Sequence, residues 1–471
     1  MNSGELFALG FYGPIVFGFA LAVVLGFGAV LHFESVWRPA LTCRLPILLL
    51  FAFAAATAVS GRNASLYGLG VDLISTAPSA APTWVLRICT LTVVALSLVV
   101  IFGSFLRPFH ITGPSRTLWL AFLGYYLSTH VVNGLLGTEF SITYKLLYPV
   151  VLIWALYVTA NEDATRLLHA ARDALLVFLV AGLLLLPFAP DLVAQSNYKG
   201  FFPYLSIRFW GLSSHANNLG PLALFFLILL RWKPYRYSSL NFLALAVAGS
   251  CLVLAQSKTA LVTAAAVALV FMARSLVLAL RGAVRDRVSR RRALLAALVL
   301  AALPLLLLGL SILSLHFGMV EGLERRLQGN SSLLTGREYI WQSTLDEWRQ
   351  NWWFGYGPEL WSDAYAARRG LFGIASNAHN QFIDTLGSAG IFGSLGLLVY
   401  LGVLSTQAFR LSSVTNGASL AFLVLILLRG VTEVPLKAGN IATSDFFMQA
   451  VIVGLFMRAG TAKPKLSDDS T

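Results

Sequence analysis

The feature that most constrains this chain is a series of apolar runs that extends over nearly its whole length. Most are long enough for an α-helix to cross the hydrocarbon core of a bilayer, which takes roughly 17–25 residues. Backbone polar groups in lipid must form their hydrogen bonds within the protein, so only α-helices and closed β-barrels can span the bilayer. The runs therefore predict an all-α polytopic membrane protein with twelve or thirteen transmembrane helices. They lie near 11–31, 45–60, 85–106, 117–136, 142–160, 174–192, 216–232, 240–256, 260–280, 294–315, 386–406, 417–436 and 445–459.

The composition excludes an ordinary soluble protein. Hydrophobic residues make up 57% of the chain and charged residues only 12%, whereas soluble domains contain about 25% charged residues. The net charge of +13 would suit nucleic-acid binding, but Lys and Arg concentrated in loops are the orientation signal of a membrane protein. Nucleic acid is therefore not expected as a partner.

The chain is expected to form a single integral membrane domain over residues 1–471. No basic residue precedes the first apolar run, which argues against a cleaved signal peptide. The polar tail 463–471 is expected to be disordered. One polar and aromatic loop, 316–385, is far longer than the others and must lie in water on one membrane face. Loops of this length usually carry function.

The distribution of Lys and Arg predicts the orientation. If the basic loop 282–293 is cytoplasmic, alternation places six further segments on the same side. These seven segments, with Arg281 counted in the basic loop, hold 19 of the 34 basic residues. The six are 32–44, 107–116, 161–173, 231–239, 407–416 and 458–471. The loops 193–215, 256–260 and 316–385 then face the outside. They carry four candidate functional residues, Arg208, Lys258, Arg337 and His379.

Two of these cations border apolar helices. Arg208 precedes Ser213 and Ser214, which could cap the next helix and leave its free amides and positive dipole end for an anion that Arg208 also binds. The alternative is an interfacial arginine that reaches the headgroups. Lys258 lies where the chain barely emerges between two helices, so it requires an anion, a water-filled cavity or lipid headgroups.

Arg337 lies at a predicted helix start. Thr335 and Glu338 fit a capping box, which places Arg337 in the first turn of the helix. A cation is unfavourable beside that end of the helix dipole, so an external anionic partner is one interpretation and a salt bridge within the loop is the other.

The residues after Arg337 predict an apolar stripe. Trp341, Leu345, Trp348 and Trp352 recur at helical spacing, suited to the membrane surface or to the transmembrane bundle. The turn at 355–358 that follows is a weak candidate for a phosphate cradle.

His379 is the candidate general base. Ser376 or Asn377 can cap a helix that begins near Ala378, which places His379 in its first turn. The helix dipole there disfavours the imidazolium, and a neutral imidazole can accept a proton. A lone histidine is more often structural than catalytic, so a structural role and a role as general base both remain open at this point.

Arg429, Glu433 and Lys437 follow one another at four-residue intervals. One interpretation is an internal ion pair near the outer membrane boundary. The other gives Glu433 a role in orienting a base or an acceptor hydroxyl.

Several motifs are absent from the sequence. The outward loops contain no carboxylate pair such as DxD, and the chain has no HExxH motif, cysteine–histidine cluster or Walker A sequence. Cys43, Cys89 and Cys251 are scattered and are interpreted as small core residues. Metal-independent chemistry is therefore expected, and ATP-driven transport is not.

Together these residues resemble the O-antigen ligase and Wzy-type polysaccharide polymerase superfamily of bacterial inner membranes. The resemblance covers residues 200–435, and its most specific part is a histidine–asparagine pair followed by two glycines. The motifs are Arg208-x-x-Gly211-x-x-x-His215-x-Asn217, Ser257-Lys258-Thr259-Ala260, Gly336-Arg337-x-x-x-Trp341, Gly355-x-Gly357 and His379-Asn380-x-x-x-x-x-Leu386-x-x-x-Gly390-x-x-Gly393.

The resemblance implies a GT-C-like, metal-independent glycosyltransferase without a cofactor, whose donor is a glycan linked to undecaprenyl diphosphate. Two positions depart from the family pattern, since Lys258 stands where arginine is more common and Ser388 where glutamate is common. The implied site consists of the diphosphate ligands Arg208, Lys258 and Arg337, the catalytic residues His379 and Asn380, and the supporting residues His215, Asn217 and Glu433.

The expected function is polymerisation of a cell-surface polysaccharide, as in exopolysaccharide or lipopolysaccharide biosynthesis, at the periplasmic face of the bacterial inner membrane. The alternative is O-antigen ligase-type transfer to lipid A-core or protein. A non-enzymatic transporter or flippase is the rival from another class, but it predicts polar groups at mid-bilayer and an internal repeat, which the sequence lacks. Expected partners are the lipid-linked glycan, membrane lipid, and a flippase and chain-length regulator of the same pathway.

Overall fold

A computed structural model of the chain describes residues 41–66, 80–105, 113–198, 200, 202, 205–283, 337–369 and 376–460. These residues are mainly helical, which confirms the predicted all-α polytopic membrane protein. Two predicted spans, 11–31 and 294–315, lie outside the described residues, as does the tail 463–471. Each of the other eleven predicted spans contains a helix.

The described helices and strands are numbered here in chain order. They are α1 (Leu45–Ala58), α2 (Ala80–Phe105), α3 (Gly113–Tyr126), α4 (Asn133–Leu136), α5 (Leu147–Val158), α6 (Ala164–Leu185), α7 (Pro190–Val193), β1 (Ala194–Gln195), β2 (Arg208–Phe209), α8 (Ala216–Trp232), α9 (Ser238–Leu254), α10 (Lys258–Ala283), α11 (Arg337–Gln350), α12 (Asp363–Arg369), α13 (Gln381–Leu411), α14 (Ala418–Thr432) and α15 (Ser444–Ala459). A π-helical turn, Leu127–Val132, joins α3 to α4.

Four of these helices are long and apolar enough to cross a membrane, namely α2, α6, α10 and α13. Helix α6 begins ten residues before the predicted start of its apolar run, because the Asp163 side chain caps it by accepting the Thr165 N–H at 2.9 Å. The predicted loop 161–173 is therefore largely the polar first part of this helix.

The last described helix, α15, lies at the centre of the described part of the bundle. It packs against α1, α3, α5, α6 and α8, and nearly all of its residues are buried. A helix that is apolar all round belongs in such a position. The segment 433–443, which connects α14 to α15, is consequently held at the middle of one end of the bundle.

Segments that the sequence predicts on the cytoplasmic side contact one another. Arg458 lies 3.3 Å from Glu162 and donates to the Thr42 hydroxyl at 2.9 Å. Arg172 donates to the Lys233 carbonyl at 2.6 Å. These contacts agree with the predicted alternation of the loops between two sides.

The described part of the loop 316–385 packs on the bundle. Helix α11 lies against α13, and the Trp341 indole N–H donates to the Ala378 carbonyl at 2.8 Å. Helix α11 therefore lies against the bundle, one of the two environments predicted for the aromatic stripe, while Trp341 itself packs against the core of the loop. A small apolar core holds the loop together, formed by Ile340, Tyr356, Leu360, Trp361, Tyr365, Ala366 and Ala378.

Candidate active site

The carboxylate of Glu433 is the centre of the candidate site. Its Oε2 lies 2.9 Å from His379 Nδ1, and its Oε1 accepts a hydrogen bond from the Asn217 amide at 3.0 Å. Arg337 Nη2 lies 3.7 Å from the same Oε1. Groups from three distant segments thus meet on one carboxylate that follows the end of α14.

His379 is positioned by an unusual backbone conformation. Its φ is +48°, its N–H donates to the Asn377 side-chain oxygen at 2.8 Å, and the next residue, Asn380, caps α13. The Asn380 oxygen accepts the Phe382 and Ile383 N–H groups. The predicted cap at Ser376 or Asn377 and the predicted place of His379 in the first helical turn are both wrong. His379 lies just before the helix because Asn380 takes the cap position.

The contact between His379 and Glu433 determines which ring nitrogen can act as a base. Burial raises the pKa of the Glu433 carboxyl, but the hydrogen bond from His379 and the nearby positive charges outweigh it, so the pKa lies below its usual value. An ionised carboxylate only accepts hydrogen bonds, so the Nδ1 of His379 donates. In the neutral ring Nε2 then carries the lone pair, and an acceptor proton can move to it.

Arg208 is tied to this centre through Asn217. Strand β2 pairs antiparallel with β1, which places Arg208 opposite Gln195, and its guanidinium donates to the Asn217 side-chain oxygen at 2.8 Å. The guanidinium also lies over the Tyr198 ring, 4.8 Å from its centroid. Arg208, Asn217 and Glu433 therefore form a continuous hydrogen-bonded chain.

His215 caps α8, where the sequence predicted Ser213 or Ser214. Its Nδ1 accepts the Asn217 N–H at 3.1 Å, while the Ser213 hydroxyl bonds to loop carbonyls. Burial, followed by the charge of Arg208, lowers the pKa of His215 to about 4. The ring is therefore neutral near pH 7, as its role as acceptor requires.

The remaining two predicted cations differ in their placement. Arg337 begins α11 and donates to the Thr432 carbonyl at 3.0 Å, beside Glu433. Its partner is thus a carboxylate of the bundle rather than one of its own loop; Thr335 of the predicted capping box lies outside the described residues. Lys258 begins α10 and is exposed, and among the described residues its ammonium makes no hydrogen bond or ion pair. Its neighbour Thr259 accepts from the Thr432 hydroxyl at 2.9 Å, so its turn adjoins the cluster.

Two further arginines hold the site in place. Arg62, which the sequence analysis did not select, donates to the carbonyls of Leu192, Gly211 and Ser213 at 2.6–2.8 Å and so fixes the loop before α8. Arg429 pairs with Asp445 and not with Glu433, and its other amino group donates to Asn218. The predicted ion pair between Arg429 and Glu433 is wrong because tertiary partners on α15 and α8 replace the neighbour on the same helix.

The glycine turn at 355–358 cannot bind a phosphate through its first three N–H groups, because all three already donate to carbonyls of the protein. The N–H groups of Gly355, Tyr356 and Gly357 donate to the carbonyls of Asn351, Gly387 and Ser388 at 2.8–2.9 Å. The turn is a packing contact between the loop and α13.

A cavity of about 990 Å³ opens beside the cluster. His379, Glu433, Asn217 and His215 line one part of it, and Trp210 and Trp361 contribute aromatic surface. Arg208, Arg337 and Lys258 are not among the described residues that line it. The cations therefore adjoin the His379–Glu433 pair from outside this cavity.

Residues 243–401 match the family model described as O-antigen ligase. This match supports the predicted resemblance to the O-antigen ligase and Wzy-type polymerase superfamily. The matched O-antigen ligase segment, about a third of the chain, contains Lys258, Arg337, His379 and Asn380. No curated protein matches the chain.

Members of the O-antigen ligase family are glycosyltransferase-like enzymes, so the family supports a polysaccharide ligase- or polymerase-type function for this membrane protein. Arg208, Asn217 and Glu433 lie outside the matched segment and reach it only in three dimensions.

Proposed function

We propose that the protein is a metal-independent glycosyltransferase that extends a cell-surface polysaccharide at the periplasmic face of the bacterial inner membrane. The donor is a glycan linked to undecaprenyl diphosphate, and the acceptor is a sugar hydroxyl of the next repeat unit. The observation that carries the proposal is the His379–Glu433 pair beside Arg337, partly within a segment that matches the O-antigen ligase model.

The cations serve the leaving group. When the bond between the anomeric carbon and the diphosphate oxygen breaks, its electron pair remains on undecaprenyl diphosphate. Fixed positive groups beside that oxygen stabilise the growing charge. Arg337 and Arg208 are held close to the reacting centre by Glu433 and Asn217, and Lys258 on the adjoining turn supplies an exposed ammonium.

His379 serves the acceptor. Its Nε2 takes the hydroxyl proton as the hydroxyl oxygen bonds to the anomeric carbon, and the Glu433 carboxylate stabilises the resulting imidazolium. Direct displacement inverts the anomeric carbon. Asn380 acts indirectly, because it caps α13 and donates to the Val431 carbonyl at 3.1 Å, which fixes His379 against the end of α14.

His379→Ala tests the base. Purified variant in proteoliposomes should bind the lipid-linked donor normally and lose transfer by roughly 10²–10⁴-fold, the range for a general base. His169→Ala removes a histidine on α6 outside the site and serves as the matched control. Unchanged product from a folded His379→Ala protein would reject the assignment.

A deletion strain separates the polymerase from the ligase. If the protein is a polymerase, its deletion leaves single repeat units on the acceptor, and this is the expected result. Long chains stranded on the carrier lipid would instead identify a ligase that transfers to lipid A-core or protein.

A further inference from the structure

The 990 Å³ cavity contacts the base but not the cations. His379 and Glu433 form part of its wall, whereas Arg208, Lys258 and Arg337 are not among the described lining residues. A diphosphate held by those cations would therefore approach the His379–Glu433 pair from another direction. The cavity is therefore available to the second substrate, the acceptor.

The lining of the cavity suits an uncharged, hydroxyl-rich molecule. It is rich in side-chain amides and hydroxyls, and its volume lies at the upper end of the roughly 300–1,000 Å³ found for small-molecule sites. Amides provide both donors and acceptors for hydroxyl groups, and the two tryptophans provide flat apolar surface. The five asparagines are Asn63, Asn217, Asn218, Asn377 and Asn440.

Several charged groups of the lining already have partners within the protein. Arg62 is occupied by backbone carbonyls, Lys437 lies 3.8 Å from Asp384, and Asp445 pairs with Arg429. Glu359 and Asp363 add negative charge, and Lys145 is a single exposed cation. A heavily phosphorylated acceptor would need a cluster of cations that the described lining does not provide.

His130 adds a hydrogen-bond acceptor to this wall. It lies on the π-helical turn Leu127–Val132, a distortion frequent at functional sites, and lines the cavity although it is only 6% exposed. Its Nδ1 lies 2.9 Å from the Thr129 hydroxyl oxygen, and that hydroxyl donates to the Tyr125 carbonyl at 2.7 Å. The Thr129 oxygen must therefore accept from Nδ1–H, which leaves the lone pair on Nε2. A Cβ on Gly439 would lie 3.3 Å from that Nε2, so the glycine keeps the space beside it open.

We propose that the cavity binds the acceptor as a neutral saccharide and that His130 Nε2 accepts a hydrogen bond from one of its hydroxyls. His130 is then a specificity-determining residue of the acceptor site. The inference rests on the proposed glycosyltransferase function and adds the class of acceptor to it.

The test uses the full-length protein in proteoliposomes. The donor is the lipid-linked glycan extracted from a deletion strain, and the acceptor is the oligosaccharide released from that lipid by mild acid. In His130→Leu, the KM for the released oligosaccharide should rise roughly 3- to 10-fold, the effect of one lost hydrogen bond. The kcat should stay within about twofold, because the hydrogen bond is remote from the reacting atoms. His130→Gln, which retains an acceptor oxygen, should restore most of the affinity.

Two further variants separate this role from a fold defect. Gly439→Val fills the space beside Nε2 without changing His130 and should raise the acceptor KM in the same way. Ser128→Ala lies in the same π-helical turn, where its hydroxyl donates only to the Tyr125 carbonyl, and should leave the acceptor KM unchanged.

The possible outcomes distinguish the two proposals. An unchanged acceptor KM in both His130→Leu and Gly439→Val would reject the role of His130. Transfer to phosphorylated lipid A-core but not to the released oligosaccharide would reject the neutral acceptor. Absence of transfer by the wild-type protein to either of these acceptors would instead reject the proposed function itself.

Discussion

Glu433 connects the candidate base to the candidate cations. Because its carboxylate accepts from His379 and also from Asn217, it orients the ring and balances the charge of Arg337. We expect Glu433→Gln to keep the shape of this site but to lose the charge that stabilises the imidazolium. The kcat should fall by roughly 10²–10⁴-fold with little change in donor binding.

Asp346→Asn is the matched control for Glu433→Gln, since Asp346 forms an exposed pair with Arg349 within α11. Surface ion pairs contribute about 0–1 kcal/mol to stability, so Asp346→Asn should leave the kcat unchanged. A Glu433→Gln enzyme with near-normal turnover would show that His379 does not need the carboxylate.

His215 predicts a pH-dependent stability. Its pKa is about 4 in the folded protein and about 6.5 in an unfolded chain. Between these values the unfolded state binds more protons, so the free energy of unfolding falls as the pH falls from about 6.5 to about 4. His215→Asn retains a good N-cap without a titrating group. Its Tm should match the wild type at pH 8 and decline less toward pH 4.5.

Titration of the Glu433 carboxyl does not interfere with that measurement. Its pKa is depressed in the folded protein, so its contribution is lost only as the pH falls below its unfolded value of about 4.3. Parallel pH profiles for the wild type and His215→Asn would contradict the assignment of His215 as a buried neutral cap.

At the residue scale the sequence identified most of the cluster because each motif residue lies near a helix end, where functional groups can reach water. It did not identify their partners. The spacing of Arg429 and Glu433 favoured a pair on one helix, but Asp445 and Asn218 bind Arg429, which leaves Glu433 for His379 and Arg337. Such a choice depends on how separate helices pack together, which the spacing within one helix does not show.

At the scale of elements, helix α13 bends where the loop packs against it. Gly390 has a φ of +62°, and a Cβ there would lie 2.4 Å from the carbonyl of Trp353. The bend joins the membrane-spanning part of α13 to the turn that carries His379.

Gly390→Ala should therefore destabilise the protein by at least about 1–3 kcal/mol, the cost of a strained left-handed residue. A thermal or denaturant unfolding curve measures this. Gly402→Ala on the same helix has no heavy atom within 4 Å of the added Cβ and should be neutral or slightly stabilising. Equal stability of the two variants would show that the bend relaxes without cost.

The apolar spans were predictable because hydrophobic length reports directly on burial in lipid. Helix starts were less predictable. Windows of hydropathy miss the polar first turns of α6, and the cap residues of α8 and α13 proved to be His215 and Asn380. A histidine is a poor cap by propensity, and here the surrounding site selects it.

At the scale of the whole molecule, the position of the site follows from α15. This helix is buried in the centre of the bundle, so the connection that precedes it carries Glu433, Lys437 and Gly439 across the middle of one end. Hydropathy alone does not show which of many apolar helices is central. The sequence did not predict the cavity for the same reason, since residues that line it come from distant parts of the chain.

The proposal also requires that this end of the bundle face the periplasm, where a translocated lipid-linked glycan would meet His379. Ser196, near the end of β1, and Ser413, between α13 and α14, are both exposed and lie in segments predicted on opposite sides. In spheroplasts, a membrane-impermeant maleimide should label Ser196→Cys directly and Ser413→Cys only after permeabilisation. The native chain should remain unlabelled, because Cys43 and Cys251 are buried and Cys89 lies within α2. The reverse pattern would place His379 in the cytoplasm, away from a translocated donor, and would exclude the proposed reaction.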